Sequence, residues 1–86
     1  MKNWCVYIVE CVDGTFYTGA TNNLDKRLSE HNSPNSKTRY TRSRRPVILV
    51  YTEMDKTKSE ALKREIEIKK LTRKQKFFLI ADAIPG

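Results

Sequence analysis

Three side chains within the stretch Thr15 to His31, TFYTGATNNLDKRLSEH, are of types that can act together on a phosphate: the phenol of Tyr17, the guanidinium of Arg27 and the imidazole of His31. Arg27 and His31 are four apart and share a face if the segment is helical. Tyr17 shares a strand face with Thr15 and Gly19, because side chains alternate along a strand. A carboxylate, Glu65, completes the set from the other half of the chain. It lies beside an apolar stripe made by Ala61, Leu62 and Ile68, where an inward-leaning charge is costly unless paired or bound to a cation. Each residue also has an ordinary explanation. Tyr17 could pack across strands, Arg27 could sit on the surface, His31 could cap a helix, and Glu65 could form a salt bridge to an arginine. Their joint arrangement is what points to chemistry.

A second feature lies beside this grouping. The segment KTRYTRSRR carries Lys37, Arg39, Arg42, Arg44 and Arg45, no acid, and Tyr40 among them. Point charges for a backbone and a ring for stacking are what a phosphate-tracking surface needs. A solvated flexible loop is the alternative. Lys69, Lys70, Arg73, Lys74 and Lys76 could extend the same footprint.

The elements that must position these groups follow from periodicity. Asn3 to Val12 reads as a strand with both faces apolar, hence central. Asp13-Gly14 is a turn dipeptide, and a second strand through Phe16, Tyr17 and Thr18 ends at Gly19, making a hairpin. Asn22 is a good N-cap for a helix carrying Leu24 and Leu28, with Asp25 favourable in its first turn. After the basic segment, which reads as a loop, Pro46 opens a third strand, VILVYT. Thr57-Lys58-Ser59-Glu60 has the form of a capping box and starts a helix to about Lys70. Thr72-Arg73-Lys74-Gln75 repeats the signal for a shorter helix to about Ala81, burying some of Phe77, Leu79 and Ile80. The order ββα-β-αα gives an α+β domain, three helices on a three-stranded antiparallel sheet, over residues 1–86.

Composition narrows the setting. At 38% hydrophobic and 31% charged, 86 residues suffice for one folded domain. The formal charge of +7 calls for an anionic partner, nucleic acid or a membrane surface. No apolar run approaches the roughly 20 residues of a membrane-spanning helix. Glu10 and Asp13 interrupt any signal peptide, so a cytoplasmic protein is expected. Cys5 and Cys11 would lie about 20 Å apart on one extended segment, against the roughly 7 Å a disulfide allows. Two reduced thiols are expected, and one histidine without a CxxC pair gives a structural zinc site no support.

The ordered residues resemble the GIY-YIG nuclease superfamily, in its small stand-alone bacterial branch. Cys5-Val6-Tyr7 stands where the first signature triplet belongs and Tyr17-Thr18-Gly19 where the second does. Asn23, Arg27 and His31 in TNNLDKRLSEH, then RYTRSRRPVILVY, then Glu65 in SEALKREIEIKKL continue the spacing, from about Trp4 to Leu79. The resemblance implies a three-stranded antiparallel sheet with flanking helices and metal-dependent hydrolysis of phosphodiesters, with Mg²⁺ or Mn²⁺ as cofactor. It implies Tyr17 as general base with Tyr7 nearby, Arg27 on the phosphate, His31 at the site edge and Glu65 holding one metal ion. Gly19 and Asn23 would support them. A phenol of pKa near 10 needs nearby cations to serve as a base at neutral pH. Two positions depart from the pattern: Cys5 replaces the glycine of the first triplet, and Ala20-Thr21 follow Gly19 where several such nucleases carry a lysine.

The expected function is therefore a structure-preferring nuclease acting on DNA, suited to repair or recombination, with a protein partner able to supply targeting. A nucleic-acid-binding module with weak or no catalysis is the first alternative. A protein-interaction domain whose charge serves only solubility is the second.

Overall fold

The computed structural model describes residues 2–34 and 39–83. Cys5 to Val9 are buried in unbroken succession, which a strand achieves only when both of its faces are covered. That strand, β1 (Trp4–Glu10), lies between β2 (Phe16–Thr21) and β3 (Ile48–Lys56) in an antiparallel sheet of order β2-β1-β3. The central placement expected from its two apolar faces is thus present. Gly14 takes φ +82° in the turn between β1 and β2, a conformation that favours glycine.

Four helical segments accompany the sheet: α1 (Leu24–His31), α2 (Arg39–Arg42), α3 (Lys58–Lys69) and α4 (Arg73–Asp82). Both threonine capping boxes are formed. Thr57 and Thr72 each accept from the backbone three residues on, and Glu60 and Gln75 reach back to the cap. The α+β expectation holds, with β3 running on past Thr52 to Lys56 and two further differences. The basic segment is not wholly loop, since Arg39–Arg42 makes one helical turn. And β2 runs on to Thr21 instead of ending at Gly19. This extension moves the cap of α1 from Asn22 to Asn23, because the Thr21 hydroxyl holds the Asn23 amide while the Asn23 side chain accepts from Lys26.

The two sheet faces carry two cores. Val6 and Ile8 pack with Ala61 and Ile68 of α3, with Leu71, Leu79 and Ile80 at the margin. Tyr7 and Val9 pack with Cys11 and Val47, bounded by Leu24, Leu28 and Leu49. Phe77 is exposed, contrary to one reading of the last helix. The cap at Thr72 phases α4 so that Lys76, Leu79 and Ile80 share the inward stripe. Cys5 and Cys11 are free and buried, and burial pushes both thiols up from their ordinary pKa.

β3 holds the sheet's far edge, and Val47, the residue that leads into it, ties it to α1. Asn32, which ends α1, accepts from the Val47 amide at 2.7 Å and donates to the Val47 carbonyl at 3.2 Å. That pair of bonds copies a strand's ladder with one side chain. Two register shifts against β1 leave extra residues on β3, and Asp55 absorbs one of them at φ +60°.

Candidate active site

Tyr7 and Gly19 are directly opposite each other across the β1–β2 ladder. The phenol of Tyr7 lies flat over Gly19, so close that a Cβ there would sit 2.3 Å from its oxygen. Only glycine leaves that space. The ring is fully buried, and its oxygen meets two residues of α1. The guanidinium Nε of Arg27 donates to it at 3.3 Å, and Nε2 of His31 lies 2.8 Å away. The helical spacing of four thus brings Arg27 and His31 onto one atom, as their shared face requires.

Arginine only donates, so the Tyr7 oxygen accepts from Arg27. The His31 ring bridges Tyr7 through Nε2 and Thr41 Oγ1 through Nδ1 at 2.9 Å, one nitrogen donating and the other accepting in the neutral ring. Burial, against the opposing Arg27 bond, pushes the Tyr7 phenol up to about 12. Burial and the Arg27 cation hold His31 below its ordinary value, hence neutral. His31 therefore lies inside the site, 1% exposed, instead of at its edge.

Tyr17 occupies the outer position on the same strand face as Gly19. Its ring meets the His31 ring edge-on at 5.1 Å and is half-buried, in contrast to Tyr7. Lys69 of α3 places its ammonium 5.9 Å from the Tyr17 ring centre and pairs with Glu65 Oε2 at 3.2 Å. Tyr17 and Glu65 both lie within electrostatic reach of the Tyr7 oxygen. So β1, β2, α1 and α3 converge on one cluster: Tyr7, Tyr17, Arg27, His31 and Glu65, with Gly19 beneath. Beside Arg27 opens a cleft of about 300 Å³, lined by Trp4, Thr21, Asn23, Lys26 and Glu30 among others.

A match to the GIY-YIG catalytic domain covers residues 3–77. The chain belongs to the GIY-YIG family. It is 56% identical over 83 residues to a UPF0213 protein of Desulfotalea psychrophila, covering 96% of this chain and 76% of that one. A UPF0213 protein of Staphylococcus saprophyticus is 52% identical over 95% of this chain and 99% of its own. Two solution NMR structures share the fold. A UPF0213 protein of Bacillus halodurans gives a TM-score of 0.60 at 41% identity, covering 93% of this chain and 84% of that one. A protein of E. faecalis gives 0.63 at 43% identity, covering 100% and 95%. Within this GIY-YIG fold, the two departures acquire a physical reading. Cys5 is a small buried residue opposite Thr21. In place of a lysine after Gly19, a cation reaches Tyr17 from α3 as Lys69.

Two residues of the cluster were not singled out by sequence. Thr41 lies in a basic run and gives no signal of a buried partner. Lys69 was counted only as part of a phosphate footprint, though it stands four residues after Glu65 on the same helix face.

The basic segment resolves unevenly. Lys37 lies outside the described residues, as do the side chains of Arg39 and Tyr40. Arg44 pairs with Asp13 of the hairpin turn at 3.0 Å. Arg45 donates to the carbonyls of Arg42 and Asn32. Arg42 is exposed and has no ion pair among the described residues. Two of these arginines thus brace the segment at the surface by bonds to the chain itself.

For a metal, the residues fit one class. Among the described residues no group of three or more His, Cys, Asp and Glu gathers. Glu65 is a single carboxylate with a side chain 19% exposed. Such a donor suits Mg²⁺ or Mn²⁺, which keep waters and take substrate phosphate, and does not suit zinc. No described helix is long and apolar enough to cross a membrane.

Proposed function

We propose that this protein is a divalent-metal-dependent nuclease that hydrolyses phosphodiester bonds in DNA. The observation that carries this reading is the convergence of Tyr7, Arg27 and His31 on one oxygen, with Tyr17, Lys69 and Glu65 at its open side. Arg27 has its Nε fixed on Tyr7, which orients the rest of the guanidinium fork for a phosphate in the adjoining cleft. Tyr17 is the base. It is the phenol that water can reach, and the Lys69 ammonium stands 5.9 Å from its ring centre. It takes the proton of a water as that oxygen bonds to phosphorus and the bond to the leaving oxygen breaks. Tyr7, buried and tied to a neutral imidazole, keeps its proton and holds Arg27 and His31 in place. A cation carried by Glu65 would offset charge on the phosphate and the leaving oxygen.

The test is incubation with branched, nicked and single-stranded DNA in Mg²⁺ or Mn²⁺, with and without chelator. Glu65→Gln should abolish cutting, while its metal-free Tm moves little, since a partly exposed ion pair contributes about 0–1 kcal/mol. Wild-type protein that binds DNA but cuts no substrate in either metal would leave a binding module in its place.

A further inference from the structure

Lys76 is on the inward stripe of α4 with Leu79 and Ile80, so packing fixes its stem. It forms no ion pair among the described residues, and its nearest charged influence is another cation, Lys69. Burial and that neighbour hold its ammonium below the ordinary pKa. Lys76 and Arg73 line one wall of a cleft of about 210 Å³, and Thr15 and Phe16 line the other. Arg73 is held in position: it donates to the Gly14 carbonyl at 3.0 Å and stacks over the Phe16 ring at 5.5 Å. Asp13, which accepts from Thr15 behind the rim, is engaged by Arg44. Among the described residues the two cations therefore face the ring with no carboxylate lining the cleft, a half-built site that an anion would complete.

Placement supplies the second half of the argument. β2 is an edge strand, so Phe16 and Tyr17 lie next to each other at the same rim although they face opposite sides of the sheet. Lys69 spans the gap, touching Glu65 and Tyr17 on one side and influencing Lys76 on the other. We infer that the cleft between Phe16 and the first turns of α4 holds a phosphate of the nucleic-acid strand next to the one at Tyr17, with Lys76 and Arg73 as its cations. This rests on the nucleic-acid reading above. It adds a second contact surface on the opposite side of the sheet from Arg42, so the strand would run across the β2 edge.

The test compares wild type, Lys76→Met and Lys76→Arg for binding to one unrelated single-stranded DNA across a salt series. Methionine keeps the stem's packing and removes the charge. Lys76→Met should lower the slope of log affinity against log salt by about 0.7, the value for one phosphate contact on a single strand. Equivalently, its loss of affinity between about 50 and 200 mM salt should be about 2.6-fold smaller than that of wild type. Lys76→Arg should keep the wild-type slope, and the Tm of Lys76→Met should not fall. If wild type binds and Lys76→Met has the same affinity and slope, the cleft holds no phosphate, and the site at Tyr17 stands without it. If wild type binds no nucleic acid at all, this subsite falls together with the reading on which it rests.

Discussion

Gly19→Ala is the smallest change that should reach both the fold and the site. The new methyl would stand 2.3 Å from Oη of Tyr7, 2.5 Å from Cζ and 2.9 Å from Cε1. Three atoms of a buried ring cannot all retreat by side-chain rotation, since β1 is covered on both faces. Overpacking of this kind costs about 1–3 kcal/mol. Moving the ring also breaks its bonds to Arg27 and His31, each contributing about 0.5–1.5 kcal/mol. The better strand propensity of alanine returns about 0.5–1 kcal/mol. The net loss centres on about 3 kcal/mol, and at 4–8 °C per kcal/mol for a domain of this size the Tm should fall by about 10–25 °C. Thermal unfolding followed by circular dichroism measures it directly. Gly14→Ala is the control, because its Cβ would meet only Arg73 at 3.7 Å and the cost there is backbone conformation alone. A double mutant with Tyr7→Phe should be less destabilised than the two single changes added, since both break the same bonds. A Gly19→Ala protein melting within a few degrees of wild type would refute the claim that Tyr7 is seated on Gly19.

Four further outcomes are expected. His31 is the one histidine, and its folded pKa is lowered, so the unfolded chain binds a proton first as the pH falls. Stability should be full above about 6.5, the unfolded value, and decline as the pH drops below it; a Tm flat from pH 7 to 5.5 would contradict a buried neutral imidazole. Tyr17→Phe should fold and bind DNA but cut roughly 10²–10⁴-fold more slowly, whereas near-normal cutting would remove it as the base. Arg42→Ala should flatten the salt slope of DNA binding by about one without lowering the Tm. Arg44→Ala should instead lose the Asp13 pair, at about 0.2–1 kcal/mol, and a salt slope reduced more by Arg44 than by Arg42 would reverse that division.

The parts of the fold governed by local rules were legible in sequence. Two capping boxes, a turn dipeptide and a doubly apolar strand depend on neighbours within a few residues, and each took its expected form. What escaped depends on contacts between distant segments. The cap of α1 shifted by one residue because Thr21 extended β2 and held the next amide. Asn32 reads as a polar residue past a helix, and only the approach of Val47 makes it a strand mimic. The face shared by Arg27 and His31 was evident from spacing. That both meet Tyr7 at one atom, and that Thr41 closes the row, required the sheet and the basic segment to be placed together. The resemblance implied Tyr17 as the base with Tyr7 nearby, and could not give their surroundings. Burial separates them, one phenol sealed in the core and the other at its mouth.

That separation divides the protein's tolerance of change. Tyr7, Gly19 and His31 belong at once to the cluster and to the interior, so altering them disturbs the whole sheet. Tyr17, Glu65 and Lys69 lie on the outer ring, where a side chain can be replaced while the fold stands. On the proposed nuclease reading, variants selected at random for loss of cutting should therefore fall into two populations, one scarce in the cell because it is degraded and one abundant but inert. The inert group would come from the outer ring alone, and it would leave a folded, basic domain still able to occupy nucleic acid and to compete with its active parent.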